Sequence, residues 1–287
     1  MTASPTLTLL SRRFPAKRAF ITGAGSGLGR ALALEFARDG WRIGIVDIDA
    51  GRLDEAAAEL AAAGAAGVER WVGDVASEGF VTGAIEAFCA RTGGLDVLVN
   101  NAGVAVAGGI DVVSADDWRW IVDINLLGVV WGCRAAVPAM RRQGHGLILS
   151  IASSAGFASA PQMGPYNATK AAVISLSETL AAELDTAGIQ VSCAMPGFFR
   201  THLLDTMRAP SEENAMAHQL MDHSGHDPTE AAQAILAAVA KGRLYIVWPR
   251  EYRLLWALKR WFPTWFLGRV RGFRDTQIRR GARRPPG

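Results

Sequence analysis

An α/β fold is what this sequence predicts: a single doubly wound parallel sheet with helices on both faces, followed by a basic, aromatic C-terminal extension. Three observations carry that reading. Apolar stretches of strand length alternate with amphipathic stretches of helix length along most of the chain, the pattern of crossover units in a parallel sheet. The first strand-like stretch runs into a Gly-rich turn and then a helix-like stretch, as a phosphate-binding turn does. The 287 residues, 50% of them apolar, suffice for one large domain with a sizeable core.

Residues 1–16 read as a short polar N-terminal tail, without the apolar stretch of a signal peptide. Arg18 to Thr22 reads as a strand. It leads into Gly23-Ala24-Gly25-Ser26-Gly27-Leu28-Gly29 and a helix through Asp39, ended by Gly40. Glycines let the backbone approach a pyrophosphate, and the helix N-terminus supplies free N–H groups and a positive dipole end. Arg42 to Val46 is the next strand, ending at Asp47, 20 residues past Gly27. An acid there bonds the adenosine ribose hydroxyls and repels a 2′-phosphate. Neither Ile48 nor Ser26 supplies a cation to reverse that preference, so NAD is favoured over NADP.

Leu53 to Ala63 reads as an Ala-rich helix, and Val68 to Val72 as a strand leading to Gly73-Asp74-Val75. Phe80 to Arg91 reads as a helix. Leu95 to Val99 reads as an apolar strand buried on both faces, followed by Asn100-Asn101-Ala102-Gly103. Ser114 caps a long helix carrying Trp118, Ile121, Ile124, Asn125, Leu126 and Val129. An amide among apolar neighbours needs a partner, so the simplest reading of Asn125 is a satisfied core amide. Leu147 to Ile151 is a strand ending near Ser153. Ile189 to Ala194 is another, leading to Met195-Pro196-Gly197. Residues 198–228 are polar and weakly periodic, as a lid is. Thr229 to Lys241 reads as a helix and Leu244 to Val247 as the last strand. The catalytic domain is thus 17–248, with the extension at 249–287.

Tyr166 and Lys170 are four residues apart on a predicted helix and share a face. A nearby ammonium lowers the phenol pKa from about 10, so Tyr166 is a candidate acid or base for an alcohol or ketone oxygen. Cys89, Cys133 and Cys193 are scattered and odd in number, which suggests reduced thiols in a cytoplasmic protein. His218, Asp222, His223, His226 and Asp227 have no zinc spacing, so no metal is expected.

In their order and spacing these motifs resemble the short-chain dehydrogenase/reductase family, of the short soluble type, over roughly residues 17–248. Thr22-Gly23-x-x-x-Gly27-x-Gly29 matches its cofactor loop and Tyr166-x-x-x-Lys170 its active-site motif. The resemblance implies a Rossmann-like fold and a tetrad of Asn125, Ser153, Tyr166 and Lys170. In it Tyr166 is the acid or base, Lys170 lowers its pKa and holds the nicotinamide ribose, Ser153 bonds the substrate oxygen, and Asn125 holds a relay water. It also implies cofactor contacts from Gly23, Ser26, Gly27, Leu28, Gly29, Asp47, Asp74, Val75, Asn101, Ala102, Gly103, Tyr166, Lys170, Pro196, Gly197 and Thr201. The reaction implied is reversible hydride transfer between NAD and a secondary alcohol or ketone, by a homodimer or homotetramer.

Phe198, Phe199, Leu203, Leu204, Met207, Met216, Leu220 and Met221 suggest an apolar pocket wall and a lipophilic substrate: a steroid, retinoid, long-chain or aryl carbinol. The alternatives are an NADPH-dependent reductase of a small or carrier-bound ketone, and a catalytically silent dinucleotide-binding regulator or scaffold.

The extension departs from the family's shorter members. Residues 243–287 hold 12 Lys/Arg against 2 Asp/Glu, a balance of +10; residues 1–242 hold 18 against 25, a balance of −7. Four of the nine Trp stand at 248 and beyond. The extension packs over the pocket or a neighbouring subunit, or lies on an anionic membrane. A nucleic-acid arm is not expected without a binding fold. Pro263 should break or kink a helix there, and residues 279–287 read as disordered.

Overall fold

The computed structural model describes residues 5–199, 202–222 and 224–270. Thr201, His223 and residues 279–287, all assigned a character above, lie outside that set. Seven parallel strands form one sheet in the order β3-β2-β1-β4-β5-β6-β7. They are β1 (Arg18–Thr22), β2 (Arg42–Asp47), β3 (Gly67–Val72), β4 (Val97–Asn100), β5 (Gly146–Ile151), β6 (Ile189–Pro196) and β7 (Tyr245–Trp248). The order reverses between β1 and β4, and a crevice opens beyond the carboxyl ends of strands at such a switch point. Every residue of β1, β4 and β5 is buried, so helices must cover both faces.

One face carries α1 (Pro5–Arg13), α2 (Gly27–Arg38), α3 (Ala50–Ala62) and α10 (Pro228–Val239), around a core that includes Leu32, Phe36, Trp41, Leu53 and Ile235. The other carries α4 (Glu78–Thr92), α5 (Ala115–Val122), α6 (Gly128–Gln143), the single turn α7 (Ala155–Ala158) and α8 (Gly164–Leu184), around Phe20, Phe88, Val129, Cys133, Met140, Phe157 and Val173. Phe20 on β1 pairs with Gly44 on β2. A Cβ at Gly44 would stand 2.5 Å from the Phe20 ring and 2.9 Å from Phe88, so glycine there admits the T-shaped pair of those rings.

Three elements differ from the sequence reading. The N-terminal tail is helical over Pro5–Arg13, because Leu10 and Phe14, four apart, bury completely against the α10 face. The fourth strand begins at Val97, not Leu95. Asp96 at its foot is fully buried and tied to Arg18 on β1. Within 198–228 stands a helix, α9 (Ser211–Asp222). The side chains of Met216, Leu220 and Met221 on it are outside the described set.

The helical stretch Ala115–Gln143 is long and apolar enough, by length and composition, to cross a membrane. Here it lies on the sheet with Ile121, Asn125, Val129, Cys133, Ala136 and Met140 buried. Beyond β7 the chain forms α11 (Glu251–Trp261), interrupted at Phe262 and helical again over 263–270. Pro263 opens the second stretch, where its missing N–H costs least.

Candidate active site

The site is built at the switch point. Gly23 and Gly27, after β1, have φ of 64° and 54°, conformations that favour glycine. A Cβ on Gly23 would lie 2.7 Å from the Ala102 Cα, and one on Gly29 would collide with the Gly23 carbonyl oxygen. The turns after β1 and β4 therefore touch through backbone. Asn101 fixes them by donating to the Thr22 and Gly23 carbonyls at 3.0 and 2.9 Å. The Thr22 hydroxyl accepts from the N–H groups of Asn101 (3.0 Å) and Ala102 (3.1 Å). Ser26 precedes α2 without capping it, which leaves the N–H groups of that helix end for a phosphate. Leu28 is buried beneath, in the core.

Asp47 ends β2, and its carboxylate accepts from the N–H groups of Gly25 (2.9 Å) and Asp49 (3.2 Å). The Gly73 N–H donates to the Asp47 carbonyl at 3.0 Å, which brings Asp74 and Val75 beside it. Asp74 accepts from the Ala76 N–H at 2.9 Å. A Cβ on Gly25 would meet Asp47 Oδ2 at 2.8 Å and Arg52 Cβ at 3.1 Å. Sequence reasoning considered only Ile48 and Ser26 and missed Arg52, five residues past Asp47 on α3. Its guanidinium is shared with Asp49 (3.5 Å) and Asp205 (3.4 Å). These groups fit a dinucleotide: a glycine cradle and helix end for the pyrophosphate, and a carboxylate for a ribose.

Tyr166 and Lys170 lie on α8, both buried. Ser153, on the turn after β5, stands beside the Tyr166 phenol and lowers its pKa, and its hydroxyl accepts from the Ala155 N–H at 3.1 Å. The Lys170 ammonium donates to the Ile151 carbonyl at 2.9 Å and stands 5.7 Å from the Tyr166 ring centroid. Asn125 sits in a π turn (Asp123–Leu127) between α5 and α6, an irregularity often found at functional sites. It is fully buried. Its amide accepts from the Val104 N–H at 2.8 Å and donates to the Val104 carbonyl at 2.9 Å. The satisfied-amide reading therefore holds, and the partner is the loop after β4. A Cβ at Gly103 would stand 3.1 Å from Asn125 Oδ1 and 3.4 Å from Lys170 Nζ. Asn125, Gly103, Lys170, Tyr166 and Ser153 thus form one group.

Apolar side chains cover that group. Tyr166 clusters with Ala105, Val106, Ile121 and the lid residues Leu204 and Met207; Phe198 and Leu203 pack alongside. Arg208 straps the lid down. Its N–H donates to the Ala105 carbonyl at 3.1 Å, and its carbonyl accepts from the Ala107 N–H at 3.0 Å. Its guanidinium pairs with Asp117 at 2.9 Å and lies 3.7 Å from the Trp120 ring centroid. No spacing in the sequence singles out Arg208.

Pro196 closes β6. The Gly197 N–H donates to the Trp248 carbonyl at 2.7 Å. A Cβ at Gly197 would lie 2.5 Å from the Tyr252 ring, so the first turn of α11 rests on the Pro196-Gly197 turn. Both roots of the lid meet Trp248, Phe199 at 5.9 Å and His226 at 4.9 Å between ring centroids. Among the described residues no group of three His, Cys, Asp or Glu could hold a metal ion. Asp227 caps α10 instead.

Burial governs the titrations. It raises the Tyr166 phenol, and Ser153 pulls it partly back. In the free protein burial thus works against the lowering expected from the Lys170 ammonium. Burial lowers Lys170 to about 8, and nearby Cys193 acts in the opposite sense. Between about pH 8 and the unfolded value of 10.5 the unfolded chain binds more protons at Lys170, so this residue's contribution to stability rises with pH. Burial raises Cys133 to about 12 and Cys193 to about 11 from 9.0, which acts oppositely above pH 9. In urea titrations from pH 8 to 9, the wild-type chain should gain stability over Lys170→Met by on the order of 1 kcal/mol. A difference flat in pH would refute that account.

This arrangement, a dinucleotide cradle at the switch point with a Ser–Tyr–Lys group beside it, defines the class of nicotinamide-dependent oxidoreductases. A match to the short chain dehydrogenase family spans residues 17–212. The chain is 35% identical over 237 residues to 2-(R)-hydroxypropyl-CoM dehydrogenase of Xanthobacter autotrophicus, covering 76% of this chain and 95% of that protein. It is also 35% identical over 245 residues to the probable oxidoreductase EphD of Mycobacterium tuberculosis, covering 82% of this chain but only 41% of that longer protein. A short chain dehydrogenase/reductase from Burkholderia phymatum, solved in complex with NAD, superposes with a TM-score of 0.78 at 32% identity, covering 94% of this chain and 98% of that one. The chain belongs to the short-chain dehydrogenase/reductase family, whose members are NAD(P)-dependent oxidoreductases.

Proposed function

We propose that the protein transfers a hydride between NAD and a lipophilic secondary alcohol or ketone, working as a homo-oligomer. The observation that carries the substrate reading is the apolar enclosure of Tyr166 by Ala105, Val106, Ile121, Leu204 and Met207. An apolar carbinol gains by burial there, whereas a polar one loses hydration.

Tyr166 exchanges the proton of the substrate oxygen, and Ser153 holds that oxygen by hydrogen bond as charge develops. Lys170, 5.7 Å from the ring, favours the phenolate and holds the nicotinamide ribose. Asn125, which with Lys170 flanks Gly103, holds the water that returns the proton. The bound nicotinamide supplies the hydride chemistry. Gly23, Ser26, Gly27, Leu28 and Gly29 cradle the pyrophosphate. Asp47 takes the adenosine ribose, Asp74 and Val75 border the adenine, and Asn101, Ala102 and Gly103 line the middle. Pro196 and Gly197 border the nicotinamide, and the contact from Thr201 implied by the family motif lies outside the described residues.

Absorbance at the NADH band, over secondary alcohols graded from small polar compounds to sterols and long-chain carbinols, tests the reading. Turnover rising with apolar bulk supports it; activity confined to small polar alcohols refutes it. A second reading, NADPH-dependent reduction, is favoured by Arg52 beside Gly25 and Asp47. Its charge is shared with Asp49 and Asp205, which favours NAD. Asp47→Ala should raise the KM for NAD roughly tenfold or more and erase most discrimination against NADP, since a charged hydrogen-bond pair contributes about 1.5–3 kcal/mol. An unchanged NAD/NADP ratio would return the choice to Arg52.

A further inference from the structure

The helix after β7 has two apolar faces, and the body uses only one. Tyr252 and Trp256 point inward. Tyr252 lies on Gly197, and the Trp256 ring is 5.2 Å from that of Tyr245. Leu254, Leu255, Trp261 and Phe262 face outward and are 66%, 40%, 79% and 59% exposed. Trp265 and Leu267, on the helical stretch 263–270, extend the patch. These are six of the eleven exposed large apolar side chains among the described residues, gathered in 14 positions. Single exposed apolar residues are ordinary, but a contiguous patch marks a binding surface.

Charge selects the occupant. Arg250, Arg253, Arg260 and Arg269 are exposed along the same stretch. Residues 271–287, which continue from it, add six Arg against one Asp. A second copy meeting this face symmetrically would set two strongly positive segments together. An anionic surface is attracted instead, and Trp, Phe and Leu among arginines suit the boundary between lipid headgroups and acyl chains. The eleven residues of α11 span about 16 Å, about half the hydrocarbon thickness of a bilayer. The helix then breaks at Phe262, so it is too short to cross a bilayer and suits one only as a surface helix.

We propose that α11 and residues 263–270 dock this protein reversibly on an anionic lipid bilayer. The inner face of α11 presses on the Pro196-Gly197 turn, so a docked molecule holds its lid and pocket mouth near the lipid. That consequence rests on the apolar-substrate reading; the docking does not.

The full chain would be sedimented with vesicles of phosphatidylcholine alone, or with a third of phosphatidylserine, at 0.1 M and 0.5 M salt. Wild type should bind the anionic vesicles at least tenfold more tightly than the neutral ones, and lose most binding at high salt. Trp261→Ser/Trp265→Ser should bind at least tenfold more weakly, with unchanged melting temperature and unchanged turnover of a water-soluble alcohol. No vesicle binding, equal binding to both compositions, or equal binding by the variant overturns the proposal. So does a lipid-free molar mass, by light scattering, that drops in the variant, since the face is then a contact between copies. Binding without turnover on any alcohol would leave the docking standing and remove the catalytic reading.

Discussion

Replacing Tyr166 by Phe should lower turnover roughly a thousandfold, the scale of a lost general acid or base, while dinucleotide binding and the melting temperature stay near wild type. The change removes one oxygen from a side chain whose ring is held by packing among Ile121, Leu204 and Met207. Only the proton exchange and the contact with Ser153 should be lost. The sign of the pH effect follows from the form needed. Alcohol oxidation requires the phenolate, so its rate rises with pH towards the Tyr166 pKa. Ketone reduction requires the phenol and falls over the same range. Burial raises that pKa in the free protein, so binding of a positively charged oxidised nicotinamide should shift the rising limb to lower pH in kcat than in kcat/KM. A Tyr166→Phe variant turning over within tenfold of wild type would remove Tyr166 from the chemistry. Tight NAD binding with no turnover by the wild-type chain on any alcohol would favour the regulator or scaffold.

How much of this was legible beforehand follows from which interactions are local. The Gly23–Gly29 turn and the Tyr166–Lys170 pair are written in short spacings, because a turn or one helical turn fixes them, and Asp47 was legible as the acid that ends the next strand. The sheet was legible through alternation of strand and helix periods. The N-terminal helix was not, since it holds its place through Leu10 and Phe14 meeting α10, more than 200 positions away. Arg208 on Trp120 and Tyr252 on Gly197 are contacts across 88 and 55 positions, with no periodic signal to announce them. The burial that raises the Tyr166 phenol in the free protein was not legible for the same reason: the sequence shows the neighbouring ammonium but not the packing around the ring. Asp96 was absorbed into an apolar run because its partner, Arg18, lies 78 positions earlier.

That pair makes the second large prediction. Arg18 Nε and Nη2 donate to the two Asp96 carboxylate oxygens at 3.0 and 2.8 Å, and the Arg18 N–H donates to Oδ2 at 2.9 Å. Arg18 Nη1 also donates to the Gly93 carbonyl at 2.6 Å. Asp96 is fully buried and Arg18 nearly so, at the foot of the two strands whose other ends build the cofactor turns. Asp96→Ala leaves a guanidinium buried without its partner and should cost about 3–5 kcal/mol, a large part of the roughly 5–15 kcal/mol that holds a domain folded. The urea midpoint should fall accordingly. The double change Arg18→Met/Asp96→Leu removes both charges and keeps the volume, so it should cost less than Asp96→Ala alone. Were the double variant the weaker, the pair would be a net source of stability. Were both near wild type, water would be reaching the foot of the sheet and screening the charge. The expected order, with the single variant weakest, would show that the cost lies in leaving one charge buried alone, and would leave the pair's use in aligning the two strands rather than in net stability. The pair would align β1 with β4, and so Thr22 with Asn101 at the opposite ends, where the dinucleotide turn is closed.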